Sequence, residues 1–238
     1  MINIINDFDL FIFDLDDTIV KSEKMHYEAW LITLQHFTND KFYICETTFQ
    51  SIFHSMIPNN IQKYIKSLLN IEVCEDVIEY KNKTYFEIII KKKNEIQMVD
   101  GCKEFIKKII KKNKEFVIVS NSLKSHIDFF SELFPILKNS SKNYYREMFK
   151  NKKPNPECYL KVLNDFPNKK MVCFEDSITG IHSVTRIPEI VSYYINTNNY
   201  FHHNYILNNY NVIHINNYND LFVNLRNLKK NNCVQLYY

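Results

Sequence analysis

The period of the hydrophobic pattern divides the chain into three stretches. Residues 8–13, "FDLFIF", form a short, nearly unbroken apolar run, the mark of a buried strand. From 22 to 37, "SEKMHYEAWLITLQHF" brings Met25, Ala29, Trp30, Leu34 and Phe37 near one helical face. Pro58 can begin a second helix, with Ile61, Tyr64, Ile65, Leu68 and Leu69 at helical spacing. A third runs from about 75 to 93 on the stripe Val77, Ile78, Tyr85, Ile88 and Ile89. Between 20 and 96 no strand pattern is convincing.

Beyond 96 the periods alternate. Gly101 precedes an amphipathic helix with Phe105, Ile106, Ile109 and Ile110 inward. "FVIVSNS" (116–122) is a strand ending in hydroxyls and an amide, and a helix follows to about 133. "KKPNPECYLKVLNDF" (152–166) is a loop leading into a helix, and "MVCFEDS" (171–177) is an apolar strand ending in two carboxylates. "EIVSYYI" and "NVIHI" are further strands, the Asn- and Tyr-rich 196–211 reads as loop, and 220–229 as a last helix. This alternation predicts an α/β class with a Rossmann-like parallel sheet covered on both faces. The helical block after the first strand predicts an inserted α-helical cap. The expected division is a core of 1–19 and 97–238 and a cap of 20–96.

Composition narrows the picture. The 238 residues, 45% of them hydrophobic, suit one domain with a smaller insertion. A net charge of +3, spread along the chain, demands neither nucleic acid nor a membrane surface. Six scattered cysteines without a C-x-x-C pair predict free thiols in a reducing compartment. The start "MINIINDFDLFIF" has no basic segment before its apolar run, and no run approaches a membrane span. A soluble, cytoplasmic protein is expected. Only Gly101 and Gly180 are glycine, so turns elsewhere must use Asn and Asp.

Chemistry gathers at strand ends. Three apolar strands end in Asp14 and Asp16, in Ser120 and Asn121, and in Glu175 and Asp176. In open α/β sheets the ligand crevice lies outside those ends. The loop residue Lys153 can add a positive charge there. Crowded carboxylates repel one another unless a cation sits among them.

These parts resemble the haloacid dehalogenase-like superfamily of phosphotransferases. Its four signatures appear in order: "DLDDT" (14–18), Ser120 in "VIVSNS", Lys153 in "KPNP", and "EDS" with Glu175 and Asp176. The spacing is similar to the branch with beta-phosphoglucomutase and many helical-cap phosphatases, and both glycines fall where that branch usually has them. The resemblance implies that Asp14 is a nucleophile forming an aspartyl phosphate. Asp16 would be the acid/base. Mg2+ would be held by Asp14, Asp176 and the Asp16 backbone carbonyl, with Glu175 in or beside its coordination shell. Ser120, Lys153 and nearby backbone N–H groups would hold phosphoryl oxygens, with Asn121 assigned to substrate. Asp17 is expected to turn outward in a turn or helix-start role, and Thr18 to support the turn.

Two residues of the inserted block stand out. His26 lies one turn before Trp30, and Lys81 interrupts the stripe Val77, Lys81, Thr84, Tyr85, Ile88. Both positions resemble ones facing the active site in that branch, which assigns them to substrate. The mutase also uses a cap arginine for a second phosphate, and "HSMIPNNIQKYI" (54–65) has none. The expected function is therefore a Mg2+-dependent phosphatase of small phosphorylated metabolites, such as a sugar phosphate or nucleotide. A phosphomutase is the alternative at the same site, and a catalytically idle binding protein the alternative of another class. The expected partner is a small phosphate ester, and the expected state a monomer or weak homodimer.

Overall fold

Strand β1 (Leu10–Phe13) lies inside a six-stranded sheet, fully buried. In the computed structural model, which describes residues 4–39, 42–50, 63, 65–67, 75–196 and 203–222, the other strands are short. They are β2 (Glu115–Val119), β3 (Lys142–Tyr144), β4 (Met171–Glu175), β5 (Ile190–Ile195) and β6 (Ile213–Ile215). The order is β3-β2-β1-β4-β5-β6, with every pairing parallel. Strand order reverses at β1, so the crevice beside its C-terminal end is the topological switch point. Register aligns Phe13 with Ile118 and Phe174, which brings the next residues of three strands to one edge.

The helices are α1 (Ile4–Asp7), α2 (Glu23–Thr38), α3 (Glu46–Phe49), α4 (Glu75–Lys91), α5 (Cys102–Lys111), α6 (Lys124–Leu133), α7 (Glu157–Asp165), α8 (Ile178–Val184) and α9 (His203–Asn209). Pleating divides β1 between two cores. Phe11 and Phe13 enter the larger, with Phe105, Phe174 and Tyr218, and Leu10 and Ile12 enter the other, with Val117, Cys173 and Tyr159. Phe13 stacks on Phe174 at 5.1 Å and meets Phe105 and Phe116 edge-on. Such contacts add about 0.5–1.5 kcal/mol each beyond burial and stiffen the strand that carries the site.

Helices α2 to α4 form an insertion after β1. The chain leaves and returns along one antiparallel seam. Val20 bridges Met98, Lys21 N–H donates to the Gln97 carbonyl at 2.9 Å, and Val99 N–H to the Ile19 carbonyl at 2.8 Å. The expected helix from Pro58 lies mostly outside the described residues; positions 63 and 65–67 within it are helical. The stripe Val77, Lys81, Thr84, Tyr85 and Ile88 is buried as its spacing predicts.

Four details depart from the sequence reading. β3 was not anticipated, since "KNY" has no apolar run and only Tyr144 is buried. α9 occupies part of the expected loop 196–211, anchored by buried Ile206. Where a helix was expected from 220, Tyr218–Phe222 form a 3-10 turn, and the remainder lies outside the described residues. Asp17 does not turn outward: it is buried, and its carboxylate accepts from Ser22 N–H at 3.2 Å, next to the start of α2. Left-handed turns use Asp17, Asn39, Asn113 and Asn168, as the glycine shortage requires. Cys45, Cys102, Cys158 and Cys173 are free thiols. Among the described residues no helix is long and apolar enough to cross a membrane.

Candidate active site

The strand ends are fixed before any side chain is considered. Asp14 N–H donates to the Phe174 carbonyl at 3.0 Å, and Ser120 N–H to the Tyr144 carbonyl at 2.9 Å. Glu175 ends β4, and Asp176 follows it. Asp14, Glu175 and Asp176 are all buried, and each offers a carboxylate oxygen within 4.8 Å of the others.

Lys153 reaches this cluster from the loop before α7. Its ammonium donates to Asp14 Oδ1 at 2.7 Å, Glu175 Oε1 at 2.6 Å and the Val119 carbonyl at 2.7 Å. The Tyr159 hydroxyl also donates to Glu175 Oε1, at 2.5 Å. Gly180 makes room for that carboxylate: a Cβ there would lie 2.0 Å from Glu175 Oε2. Asn121 bonds the Lys153 backbone at both ends of its amide, at 3.1 and 3.3 Å. It steers the lysine as well as lining the cavity. Ser120 Oγ accepts from Ser122 N–H at 3.0 Å, and Thr18 donates to Asp176 Oδ1 at 3.0 Å.

Charge in this cluster is unbalanced. Burial, aided by the charges of Glu175 and Asp16, pushes the Asp14 carboxyl well above its usual range while Lys153 pulls it down. Burial and the charges of Asp14, Asp17 and Glu175 push Asp176 up in the same way, against the Thr18 hydrogen bond. Burial opposes the charge on Lys153, but Asp14 and Glu175 outweigh it and raise its pKa. Three carboxylates against one ammonium leave a place for a further cation. An all-oxygen donor set of this kind fits a hard divalent ion such as Mg2+, whose own charge reverses the protonation preference of its ligands.

Asp16 belongs to two parts of the chain at once. From the insertion side, Ser22 Oγ donates to Oδ1 at 2.7 Å, Tyr85 at 3.1 Å and His26 Nε2 at 3.2 Å. From the core, Ser122 Oγ donates to Oδ2 at 2.5 Å. Lys81 Nζ lies 3.0 Å from His26 Nδ1, on the side of the ring away from Asp16. His26 stacks flat on Tyr85, 4.0 Å between centroids. Burial would raise the Asp16 carboxyl, but the charge and hydrogen bond of His26, with Ser122 and Ser22, hold it well below the usual range.

All of the sequence-predicted residues except Glu175 line one cavity of about 410 Å3, and Glu175 sits behind Lys153. Sequence reasoning missed Ser122, Tyr85, Tyr159, His126 and Arg146. Tyr85 reads in the sequence as part of an apolar stripe, Tyr159 has no reading of its own, and Arg146 follows the unanticipated β3. Ser122 alone carried a signal, as a second hydroxyl two residues beyond Ser120.

The chain matches the haloacid dehalogenase-like hydrolase family over residues 11–187. No curated protein sequence matches it. Similar solved structures include a family IA, variant 3 HAD hydrolase from Entamoeba histolytica, 20% identical, with a TM-score of 0.72, covering 94% of this chain and 100% of that one. CbbY from Rhodobacter sphaeroides, solved with xylulose-(1,5)bisphosphate, is 13% identical with a TM-score of 0.73, covering 90% and 96%. A predicted phosphoglycolate phosphatase from Haemophilus somnus is 15% identical with a TM-score of 0.70, covering 90% and 96%. At these identities the likeness speaks for the fold.

Proposed function

Because this chain belongs to the haloacid dehalogenase-like hydrolase family, we propose that it is a Mg2+-dependent phosphatase of small phosphorylated metabolites, such as a sugar phosphate or nucleotide, acting through an aspartyl phosphate. The observation that carries this reading is the convergence of Asp14, Glu175 and Asp176 on the Lys153 side of one cavity. The helical block 20–96 is its cap. Asp14, Asp176 and the Asp16 carbonyl would hold Mg2+, with Glu175 beside them, and the ion supplies neutralising charge for carboxylate and phosphate oxygens.

The chain's own groups do the rest. An Asp14 oxygen attacks phosphorus as the ester P–O bond breaks, and the leaving oxygen takes a proton from Asp16. Asp16 then accepts a proton from water, which attacks phosphorus and breaks the bond to Asp14, releasing phosphate. Ser120 and Lys153 hold the phosphoryl oxygens, and Asn121 holds Lys153. The four donors keep Asp16 ionised, the form that can take up a proton, and at the same time weaken it as a base. Protonating it for the first half requires displacing one of those donors, three of which the cap carries.

Phosphatase and mutase part at the phosphoenzyme. A mutase must keep water from it and hold a substrate with two phosphates. We expect steady release of inorganic phosphate from a monophosphate ester and no net conversion of hexose 1-phosphate to 6-phosphate, even with bisphosphate added. A coupled isomerisation assay beside phosphate detection, on one preparation, decides. Isomerisation outrunning release would make the mutase the better reading, and turnover of no ester in a broad panel would favour the idle binding protein.

Lys81 has a cost that shows in stability. Burial lowers its pKa to about 8, against the pull of Asp16 and Glu23. The folded state therefore disfavours its charge relative to the unfolded chain. That penalty is full below about pH 8 and fades as pH rises from there toward the ordinary lysine value. Lys81→Met keeps most of the stem, so at pH 7 it should raise the melting temperature while raising KM. By pH 10 the stability gain should shrink. A gain that is flat with pH, or a KM that does not move, would count against the assignment.

A further inference from the structure

The cavity is lined by charges of both signs. Around the metal-binding end stand Asp14, Asp16, Asp17 and Asp176. Another part of the wall carries Lys81, Arg146 and Lys152, grouped by the repulsion of Arg146 on both lysines, with Asp16 and Glu23 acting on Lys81. We propose that this wall is a subsite for a second anionic group, so that preferred substrates carry a carboxylate or second phosphate besides the phosphate that is cleaved. The inference rests on the phosphatase reading for the first phosphate.

Arg146 is the centre of the argument. It sits in the 3-10 turn Arg146–Met148 that follows β3. Its backbone N–H donates to the Ser122 carbonyl at 3.0 Å, which ties the turn to the loop carrying Ser120 and Asn121. Among the described residues its guanidinium has no hydrogen-bond or ion-pair partner. The neighbouring acid, Glu147, is spent on Lys124 N–H at 3.1 Å. The Lys152 ammonium likewise has no partner among the described residues. Burial and repulsion from Arg146 lower the pKa of Lys152, and the same guanidinium repels Lys81. Three cations grouped about Arg146, with the acids Asp16 and Glu23 acting on Lys81, are a poor structural device and a good anion receptor.

His126 gives an independent sign that the cavity awaits a ligand. It is 3% exposed, lines the cavity, and neither ring nitrogen has a hydrogen-bond partner. Burial holds its pKa to about 4, so it is neutral. Stacked on Phe86 at 5.7 Å, it offers a fixed, uncharged hydrogen-bonding edge suited to a hydroxyl between two anions.

Binding of unreactive probes, measured by calorimetry with Mg2+ present, tests this without turnover. Methylphosphonate is the single-anion reference. The bifunctional probes are phosphonocarboxylates of two, three and four carbons and methylenediphosphonate. We expect at least one bifunctional probe to bind about 10- to 100-fold more tightly than the reference, the range of one or two charge-assisted contacts. Arg146→Gln should cut that ratio about tenfold or more, and Arg146→Lys should retain part of it, because a point charge replaces a fork. The phosphonocarboxylate and diphosphonate arms tell a carboxylate from a second phosphate. No preference in the wild-type protein, or equal losses for reference and bifunctional probes in Arg146→Gln, would overturn the subsite. If the preference is present but no ester is hydrolysed, the phosphatase reading fails and the subsite stands.

Discussion

Asp14→Asn is expected to lower phosphate release by ~10³-fold or more, the scale of losing a central catalytic group. The amide keeps the shape of the side chain but has no negative oxygen to attack phosphorus. It also removes one of the two carboxylates that Lys153 joins, so Lys153 stays paired with Glu175 alone. The fold should survive, because the strand end is held by the backbone bond from Asp14 to Phe174. Steady-state phosphate detection, with circular dichroism to confirm folding, makes the measurement. By contrast, Asp16→Asn should still form some phosphoenzyme with a good leaving group. Near-native turnover in Asp14→Asn would end the covalent reading.

Activity is expected to disappear in excess chelator and to return with Mg2+. Ca2+ should bind and inhibit, because its longer, looser coordination misplaces the nucleophile. The two neighbouring acids should behave differently. Glu175 already accepts from Lys153, Tyr159 and Ser177. Asp176 accepts from Thr18 and, unlike Glu175, lines the cavity. Asp176→Ala should therefore raise the Mg2+ needed for half-maximal activity by about 10- to 100-fold. Glu175→Ala should do so less and instead lower the melting temperature, since it strips a partner from a buried ammonium. Mg2+ added to wild-type protein should raise the melting temperature, and Asp176→Ala should lose that rise. Full activity in excess chelator would sink the site assignment.

The sheet was legible where strands are buried on both faces. Runs such as "LFIF" and "MVCFE" have no period to mistake for a surface element. β3 was illegible because it is an edge strand of three residues whose placement comes from its ladder with β2, not from its side chains. The site divides in the same way. Asp14, Ser120 and Asp176 were readable because a strand delivers each of them. Arg146 was not, because reading it required β3 first. Tyr85 and Tyr159 were hidden by their own burial: their rings pack like any aromatic, while their hydroxyls reach Asp16 and Glu175. Lys81 was visible because a charge in an apolar stripe breaks the pattern. His126 has no such contrast, since histidine on a helix face is ordinary.

In the terms of an alphabet, this fold is written with nineteen letters and two exceptions. Left-handed turns that glycine commonly fills are spelled here with Asp17, Asn39, Asn113 and Asn168. The exceptions cannot be respelled, and for different reasons. At Gly101 the backbone is left-handed and a Cβ would press on Asn219 at 2.7 Å. At Gly180 the space is already taken by the Glu175 carboxylate, which Lys153 and Tyr159 keep from yielding. A designer reducing the vocabulary of this architecture can thus drop glycine from every turn but one. The second glycine must stay for the candidate site, where the missing letter is the volume that a carboxylate occupies.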